Sequence, residues 1–238
     1  MTKSFIMMLL IITMNISAQQ AGVNYLDIEV GVGIPTGDFG DDDIDSEDSG
    51  LASTGVMGSI TGRYSLEDNF GLFGQYSFNL NSIDSEVLDD VLDEFADMYP
   101  TVDWEISASP WVVQNATIGP YFSTTSGNAV FLLGGGIGLL VATKPELELT
   151  GDDGVDELVV KDELVSGVGF GYTISGRIGY LLSDKVTLFG GISFVGGEAE
   201  IDYDVVVELN GDEIDSTSES FAQPISIVNI PIGISISF

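Results

Sequence analysis

Apolar and polar residues alternate with a period of two along several segments of the chain. The alternation is clearest at residues 26–34, 56–64, 70–80, 168–180 and 230–238. Successive side chains of a β-strand point to opposite faces of its sheet, so each segment predicts a strand with one apolar face. Looser alternation predicts three more strands, at about 111–123, 128–143 and 186–204. The sequence therefore predicts eight strands.

The connections between these predicted strands alternate in length. Short connections fall at 65–69, 123–128 and 182–185, and long ones at about 36–50, 82–110, 144–166 and 197–222. This rhythm is typical of an up-and-down antiparallel arrangement, in which all long connections lie at one end. The long connections contain 33 of the 38 acidic residues, so the negative charge is expected at that end.

The composition excludes several classes of function. The 238 residues include six Lys+Arg and 38 Asp+Glu, for a net charge of −32, yet 44% of them are hydrophobic. A charge this negative repels nucleic acid, so no nucleic-acid partner is expected. The chain has no Cys and no His, which removes disulfides, thiolate metal sites and the commonest general base. We expect no cofactor and no resident metal.

The N-terminal segment has the order of a secretory signal peptide. Lys3 precedes an apolar run at 5–12, and the small residues Ser17 and Ala18 follow. We therefore expect residues 1–18 to be a signal peptide and residues 19–238 to form one exported domain. The apolar run is far shorter than the roughly 20 residues that a membrane-spanning helix needs.

The two faces of the predicted strands differ in a way that favours a membrane protein. One face carries Gly, Ser, Thr and Asn, and the other is almost purely aliphatic or aromatic. Aromatic residues lie near predicted strand ends, as in the interfacial girdles of membrane barrels: Tyr64, Phe70, Tyr76, Phe78, Tyr121, Phe122, Phe131, Tyr180 and Phe238. The predicted fold is an all-β, eight-stranded antiparallel up-and-down transmembrane β-barrel with long acidic extracellular loops. A soluble secreted β-barrel that turns its apolar face inward to bind an apolar ligand is an alternative.

The sequence resembles the small eight-stranded outer-membrane β-barrel family of Gram-negative bacteria, the OmpA/OmpX-like class. The resemblance rests on the strand and loop rhythm, on the segment 32–39 (VGIPTGDF) and on the terminus 232–238 (IGISISF). It implies a location in the cell outer membrane, contact with outer-membrane lipid, and recognition of the terminal Phe238 by the barrel assembly machinery. Enzymes among outer-membrane barrels use a His that this chain lacks, so the resemblance implies a non-enzymatic protein.

Four charged residues occupy the polar face of predicted strands. Asp27, Glu29, Arg63 and Arg177 all fall at odd, inward-facing positions near the end that carries the short connections. An eight-stranded barrel has an interior just wide enough for side chains to fill. We expect these residues to form a luminal charge network with a structural role, and a proton or ion gate is the alternative.

Two features are predicted within the long connections. An apolar stripe formed by Val87, Leu88, Val91, Leu92 and Phe95 predicts a helix over 84–99 that packs on the barrel mouth. The acidic run at 41–48 lacks the residues of an EF-hand loop and predicts at most weak binding of divalent cations.

The expected function is a non-enzymatic outer-membrane surface role that is envelope-structural, adhesive or cation-interacting, with a lumen plugged by side chains. A narrow channel or small-ligand transporter is the main alternative.

Overall fold

Antiparallel β-strands form most of the described chain. The computed structural model describes residues 22–43, 46, 49–162 and 165–238. Its strands are β1 Asn24–Pro35, β2 Gly55–Glu67, β3 Phe70–Asn81, β4 Asp103–Ala108, β5 Trp111–Ser126, β6 Ala129–Thr143, β7 Leu147–Asp152, β8 Glu157–Asp162, β9 Ser166–Ser183, β10 Val186–Leu209 and β11 Asp212–Ser237. A 3₁₀ turn lies at Gly37–Gly40, and one helix, α1, spans Ser85–Met98. The prediction of an all-β, up-and-down antiparallel protein is confirmed. The predicted signal peptide lies outside the described residues.

Eight of the strands pair in a closed cycle. The order is β11-β1-β2-β3-β5-β6-β9-β10, and β10 pairs again with β11. Closure leaves these strands without a free edge along the paired stretch, so their backbone groups find partners within the cycle. We call this cycle the ring. The short turns that join β2 to β3, β5 to β6 and β9 to β10 lie at its short-turn end, and the remaining connections lie at its long-link end.

The number of strands differs from the prediction. The described chain has eleven strands rather than eight, because β4, β7 and β8 form within connections expected to be loops. Each of these strands has only six residues and pairs outside the ring. Because they are short and contain acidic residues, their sequences show little apolar alternation. Strand propensity alone is a weak signal there, and pairing partners decide the conformation.

The fourth long connection is also a strand pair and not a loop. β10 and β11 continue far beyond the ring as one hairpin, which ends at Asn210 and Gly211. Both residues have positive φ, +55° and +82°, as the central residues of a type I′ hairpin turn require. The Asn-Gly pair is a hairpin signal that the acidic composition of this segment obscured.

The extended hairpin is part of a sheet outside the ring, which we call the outer sheet. Its order is β11-β10-β8-β7-β4. The predicted helix is confirmed as α1, with Asp84 capping it by accepting a hydrogen bond from the backbone N–H of Glu86 at 2.9 Å. Helix α1 packs mainly against β4, where the rings of Phe95 and Trp104 lie 5.2 Å apart, and not on the ring mouth as expected. The unexpected strand β4 provides the nearest aromatic surface.

The ring has an apolar exterior, and much of its interior is polar. On β1, Asp27 and Glu29 are only 1% and 2% exposed, whereas Ile28 and Val30 are 44% and 60% exposed. Around the whole ring, apolar side chains on the outer face are exposed, which is the reverse of the pattern in a soluble globular protein. Most of the predicted girdle aromatics are exposed on its outer face, but Tyr121 is buried inside, because it neighbours the outward Phe122 on a strand. None of the helices in the described ranges is long and apolar enough to cross a membrane.

The hairpin tip gives a testable prediction. Asn210→Val is expected to destabilise the outer part of the hairpin by about 1–2 kcal/mol, because a β-branched residue is strained at positive φ. It also removes the side-chain hydrogen bonds of Asn210 to the Glu157 backbone N–H and to Asp156 Oδ1. Faster amide hydrogen exchange in the outer parts of β10 and β8 is the expected readout.

Asn210→Gly is the matched control, because it keeps the positive φ and loses only the side-chain contacts. Equal exchange in the two variants would contradict a role for backbone strain at this turn.

Candidate functional site

A cluster of four charged side chains lies inside the ring near its short-turn end. We call Asp27, Glu29, Arg63 and Arg177 the charge cluster. Arg63 makes two hydrogen bonds to Asp27, from Nε to Oδ2 at 2.7 Å and from Nη2 to Oδ1 at 3.0 Å. Both side chains are almost fully buried. A bidentate, buried arginine–carboxylate pair of this kind is strong and geometrically defined.

Arg177 joins the two carboxylates of the cluster. Its Nη1 donates to Asp27 Oδ2 at 3.0 Å, and its Nη2 lies 2.7 Å from Glu29 Oε1. The other oxygen of Glu29 accepts a hydrogen bond from Ser59 Oγ at 2.8 Å. Two cations and two anions thus share three ion pairs, so the cluster carries no net charge. Buried charges require such pairing, because an isolated ion in a poorly hydrated space is very costly.

The ring brings these residues together from distant parts of the sequence. Asp27 and Glu29 lie on β1, and Arg63 lies on its neighbour β2. Arg177 lies on β9, 150 residues from Asp27, and reaches the carboxylates from across the interior. The structure therefore places all four sequence-predicted residues in one contact network.

Aromatic and hydroxyl side chains surround the charge cluster. The Arg63 guanidinium lies 4.6 Å from the ring centroid of Tyr25 and 5.3 Å from that of Tyr121. Ser235 accepts a hydrogen bond from Arg63 Nη2 at 3.0 Å. Sequence analysis did not assign Tyr25, Tyr121 or Ser235 to the charge cluster. A signal existed for Ser235, which is the direct cross-strand partner of Asp27 on β11. That partnership becomes visible only when β1 and β11 are known to pair.

The middle of the interior is filled by neutral amides. We call Asn79, Asn115 and Asn229 the amide layer, and each is buried. A Cβ atom on Gly33 would lie 2.7 Å from Asn79 Oδ1 and 3.1 Å from Asn229 Oδ1, so the two amides approach the β1 backbone where only glycine fits.

The long-link end of the interior is apolar. The side chains there form one buried cluster, the apolar plug, made of Phe39, Trp111, Val113, Leu140, Val195, Ile201, Ile225 and Ile227. Phe39 enters from the 3₁₀ turn and meets Trp111 edge-on, with ring centroids 5.4 Å apart. The Trp111 indole N–H donates to the backbone carbonyl of Gly50 at 2.8 Å, which fixes the ring in place.

The described residues of the acidic long links form no metal site. Among the described residues, no group of three or more acidic side chains is arranged to hold a metal ion. The predicted acidic run is described only in part, since residues 44, 45, 47 and 48 lie outside the described ranges, so weak cation binding there stays a prediction. In the β7–β8 turn, backbone N–H groups of Asp156 and Val155 donate to Asp153 and lower the pKa of that carboxyl.

Several outer-membrane proteins of known structure are similar to this chain at very low sequence identity and with TM-scores below 0.5. Neisserial surface protein A is 10% identical, with a TM-score of 0.48, over 91% of this chain and 99% of its own. Ail, the attachment invasion locus protein of Yersinia pestis, is 11% identical, with a TM-score of 0.47, over 92% and 100%. OprG from Pseudomonas aeruginosa is 12% identical, with a TM-score of 0.47, over 94% and 99%. No protein-family model and no curated protein sequence matches the chain. Similarity at this level transfers no function to this chain.

The charge cluster gives a prediction about stability. Asp27→Asn is expected to lower the free energy of unfolding by about 3–5 kcal/mol, because two buried arginines then share one carboxylate. The measurement is urea unfolding of the refolded protein in lipid vesicles.

Asp184→Asn is the control, since it removes an exposed acid at the same end of the ring. It is expected to change stability by no more than about 0.5 kcal/mol. Equal effects of the two substitutions would show that the buried ion pairs have no special weight.

Proposed function

We propose that the ring is an eight-stranded transmembrane β-barrel in the outer membrane, with the long links outside the cell and both ends of the ring-forming chain in the periplasm. The observation that carries this proposal is the continuous exposed apolar surface on the outer face of the ring. Ile118, Leu133, Leu139 and Ile232 are 73%, 65%, 64% and 62% exposed. Soluble monomers rarely expose a contiguous apolar surface of this extent, and a lipid bilayer is the environment that covers it on all sides.

The distribution of the remaining side chains supports the same arrangement. The charged side chains inside the ring pair with one another, and the acidic residues are concentrated beyond one end. A secreted soluble barrel would carry a polar outer face, whereas the outer face of this ring is apolar. The exposed aromatic residues near the strand ends suit the two interfaces of a bilayer.

The role proposed for this barrel is non-enzymatic, at the cell surface, and envelope-structural, adhesive or cation-interacting. The interior supports a closed barrel, because the charge cluster, the amide layer and the apolar plug follow one another along its axis. The cavity beside the charge cluster has a volume of only about 20 Å³, which is about the space of one water molecule. The outer sheet and its acidic links provide the surface that faces the environment.

A substitution in the apolar surface tests the membrane location. Ile118→Arg is expected to destabilise the protein in lipid by about 2–4 kcal/mol, because it places a cation at the middle of the hydrocarbon layer. In an aqueous environment the same exposed position would accept arginine with little effect. The readout is the heat-dependent mobility shift of the outer-membrane fraction on SDS gels, since folded barrels resist SDS until they are heated.

Val155→Arg is the control, because Val155 is 85% exposed in the turn between β7 and β8 and lies in water under either hypothesis. If the wild-type protein is soluble and shows no heat-dependent shift, or if Ile118→Arg is as harmless as Val155→Arg, the membrane proposal fails.

Conductance separates the closed barrel from the channel alternative. The purified protein in planar lipid bilayers is expected to show no unitary current in moderate salt, because side chains fill the interior at three successive levels. Reproducible single-channel steps in the wild type would contradict the closed interior and favour a narrow channel instead.

A further inference from the structure

Two turns meet at the far end of the outer sheet. One joins β7 to β8, and the other is the β10–β11 hairpin turn at Asn210 and Gly211. The Asn210 backbone N–H donates to the Glu157 carbonyl at 2.8 Å, and its side-chain Oδ1 accepts from the Glu157 N–H at 2.9 Å. Its side-chain Nδ2 donates to Asp156 Oδ1 at 2.8 Å. We call these three hydrogen bonds the tip junction.

The tip junction lies in solvent. Asp156, Glu157, Asn210 and Gly211 are all exposed. A Cβ atom added to Gly211 would meet no atom of the described residues within 4 Å beyond its chain neighbours, so open space surrounds this part of the turn. Exposed turns with few buried contacts open locally at a small cost in free energy. Water and the local motion that chemistry at the Asn210 side chain requires are therefore both available.

Asn210 is the one asparagine of the chain that precedes a glycine. In an Asn-Gly pair the glycine nitrogen is tethered close to the side-chain amide carbon, so the two groups react within one molecule. Glycine has no Cβ to obstruct this approach. Asn128 offers a contrast, because it is also exposed in a hairpin turn and its side chain donates to the Tyr180 hydroxyl, but it precedes Ala129.

We propose that Asn210 is a site of spontaneous deamidation and that the product breaks the tip junction. The Gly211 nitrogen forms a bond to Asn210 Cγ, and the Cγ–Nδ2 bond breaks. Nδ2 leaves as ammonia with the proton of the Gly211 nitrogen, and a succinimide ring remains. Water then opens this ring at either carbonyl, which gives aspartate or isoaspartate. Water is the co-reactant, and nothing is oxidised or reduced.

Both products disrupt the tip junction. Aspartate at this position places a carboxylate where Nδ2 lies 2.8 Å from Asp156 Oδ1, so a hydrogen bond becomes a repulsion between like charges. Isoaspartate also adds a methylene group to the backbone of the turn, which a tight hairpin turn does not accommodate. The β7–β8 turn is therefore released from the β10–β11 hairpin.

The neighbouring turn contains a related pair, Asp153-Gly154, that is protected from the same reaction. Asp153 accepts hydrogen bonds from the backbone N–H groups of Val155 and Asp156, both at 2.9 Å, and these lower the pKa of its carboxyl. Hydrogen bonds of this kind favour the ionised form, which is a poor electrophile. The inference goes beyond the proposed function and does not rest on it, because the tip junction lies in water whether or not the ring spans a membrane.

Peptide mapping by mass spectrometry tests the modification. The full mature chain, folded in detergent, is incubated in mildly alkaline buffer beside a free peptide of residues 206–214, and isoaspartate is detected with an isoaspartyl methyltransferase. We expect Asn210 to lose its amide in the folded chain and Asn128 to keep its own. Retention of the Asn210 amide after the free peptide has converted, or equal conversion of Asn128, would overturn the proposal.

Substitutions test the consequence for the tip junction. Asn210→Asp reproduces one product and is expected to speed hydrogen exchange of the Glu157 N–H about five- to tenfold. Adding Asp156→Asn is expected to restore slow exchange, because the amide and the carboxylate have only changed places. Adding Glu213→Gln instead removes an exposed acid of β11 outside the tip junction and is expected to restore nothing. Equal exchange in the two double variants would overturn the repulsive contact.

The ring reports separately on the membrane proposal. Deamidation at the tip is expected to leave the heat-dependent gel shift unchanged, since the ring keeps all of its strand pairs. Loss of the shift in step with the conversion of Asn210 would overturn the confinement of the effect to the outer sheet. Absence of the shift before any conversion would overturn the membrane proposal instead.

Discussion

The pairing of the first and last strands of the ring is the constraint on which the rest of the structure depends. β1 and β11 pair continuously from Tyr25 and Ser237 to Pro35 and Ile227. Because this pairing closes the ring, the strands keep their backbone hydrogen bonds without exposing an edge. Closure also creates an interior, and an interior surrounded by eight strands is too narrow for bulk water. The charged side chains that point inward must therefore pair with one another.

The contents of the interior follow from that requirement. At the short-turn end, Asp27 accepts hydrogen bonds from both Arg63 and Arg177. Glu29 forms a second ion pair with Arg177, so two carboxylates balance two guanidinium groups. Further along the axis, uncharged amides replace ions, and at the long-link end apolar side chains replace amides. Charge is thus confined to the level where it is paired. The order of these three layers along the axis explains why polar side chains inside the ring do not imply an open channel.

The outer sheet and its connections are organised differently from the ring. β10 and β11 extend as a hairpin that recruits β8, β7 and β4 into the outer sheet, and Trp104 on β4 provides the surface on which α1 packs. These elements are rich in acidic residues, and mutual repulsion favours their exposure to solvent over burial.

The alternation along the chain determined the strands of the ring, the direction of their side chains and the segregation of acids to one end, because a period of two is a local property of each strand. It also placed Asp27, Glu29, Arg63 and Arg177 on one face. Only the tertiary structure decided that Arg177 reaches Asp27 across the interior and that Ser235 joins Arg63, since both contacts depend on strands far apart in sequence. The outer strands escaped sequence analysis for the same reason. Apolar and polar residues alternate little in these segments. They become strands because they pair with distant segments, and not because of a local pattern.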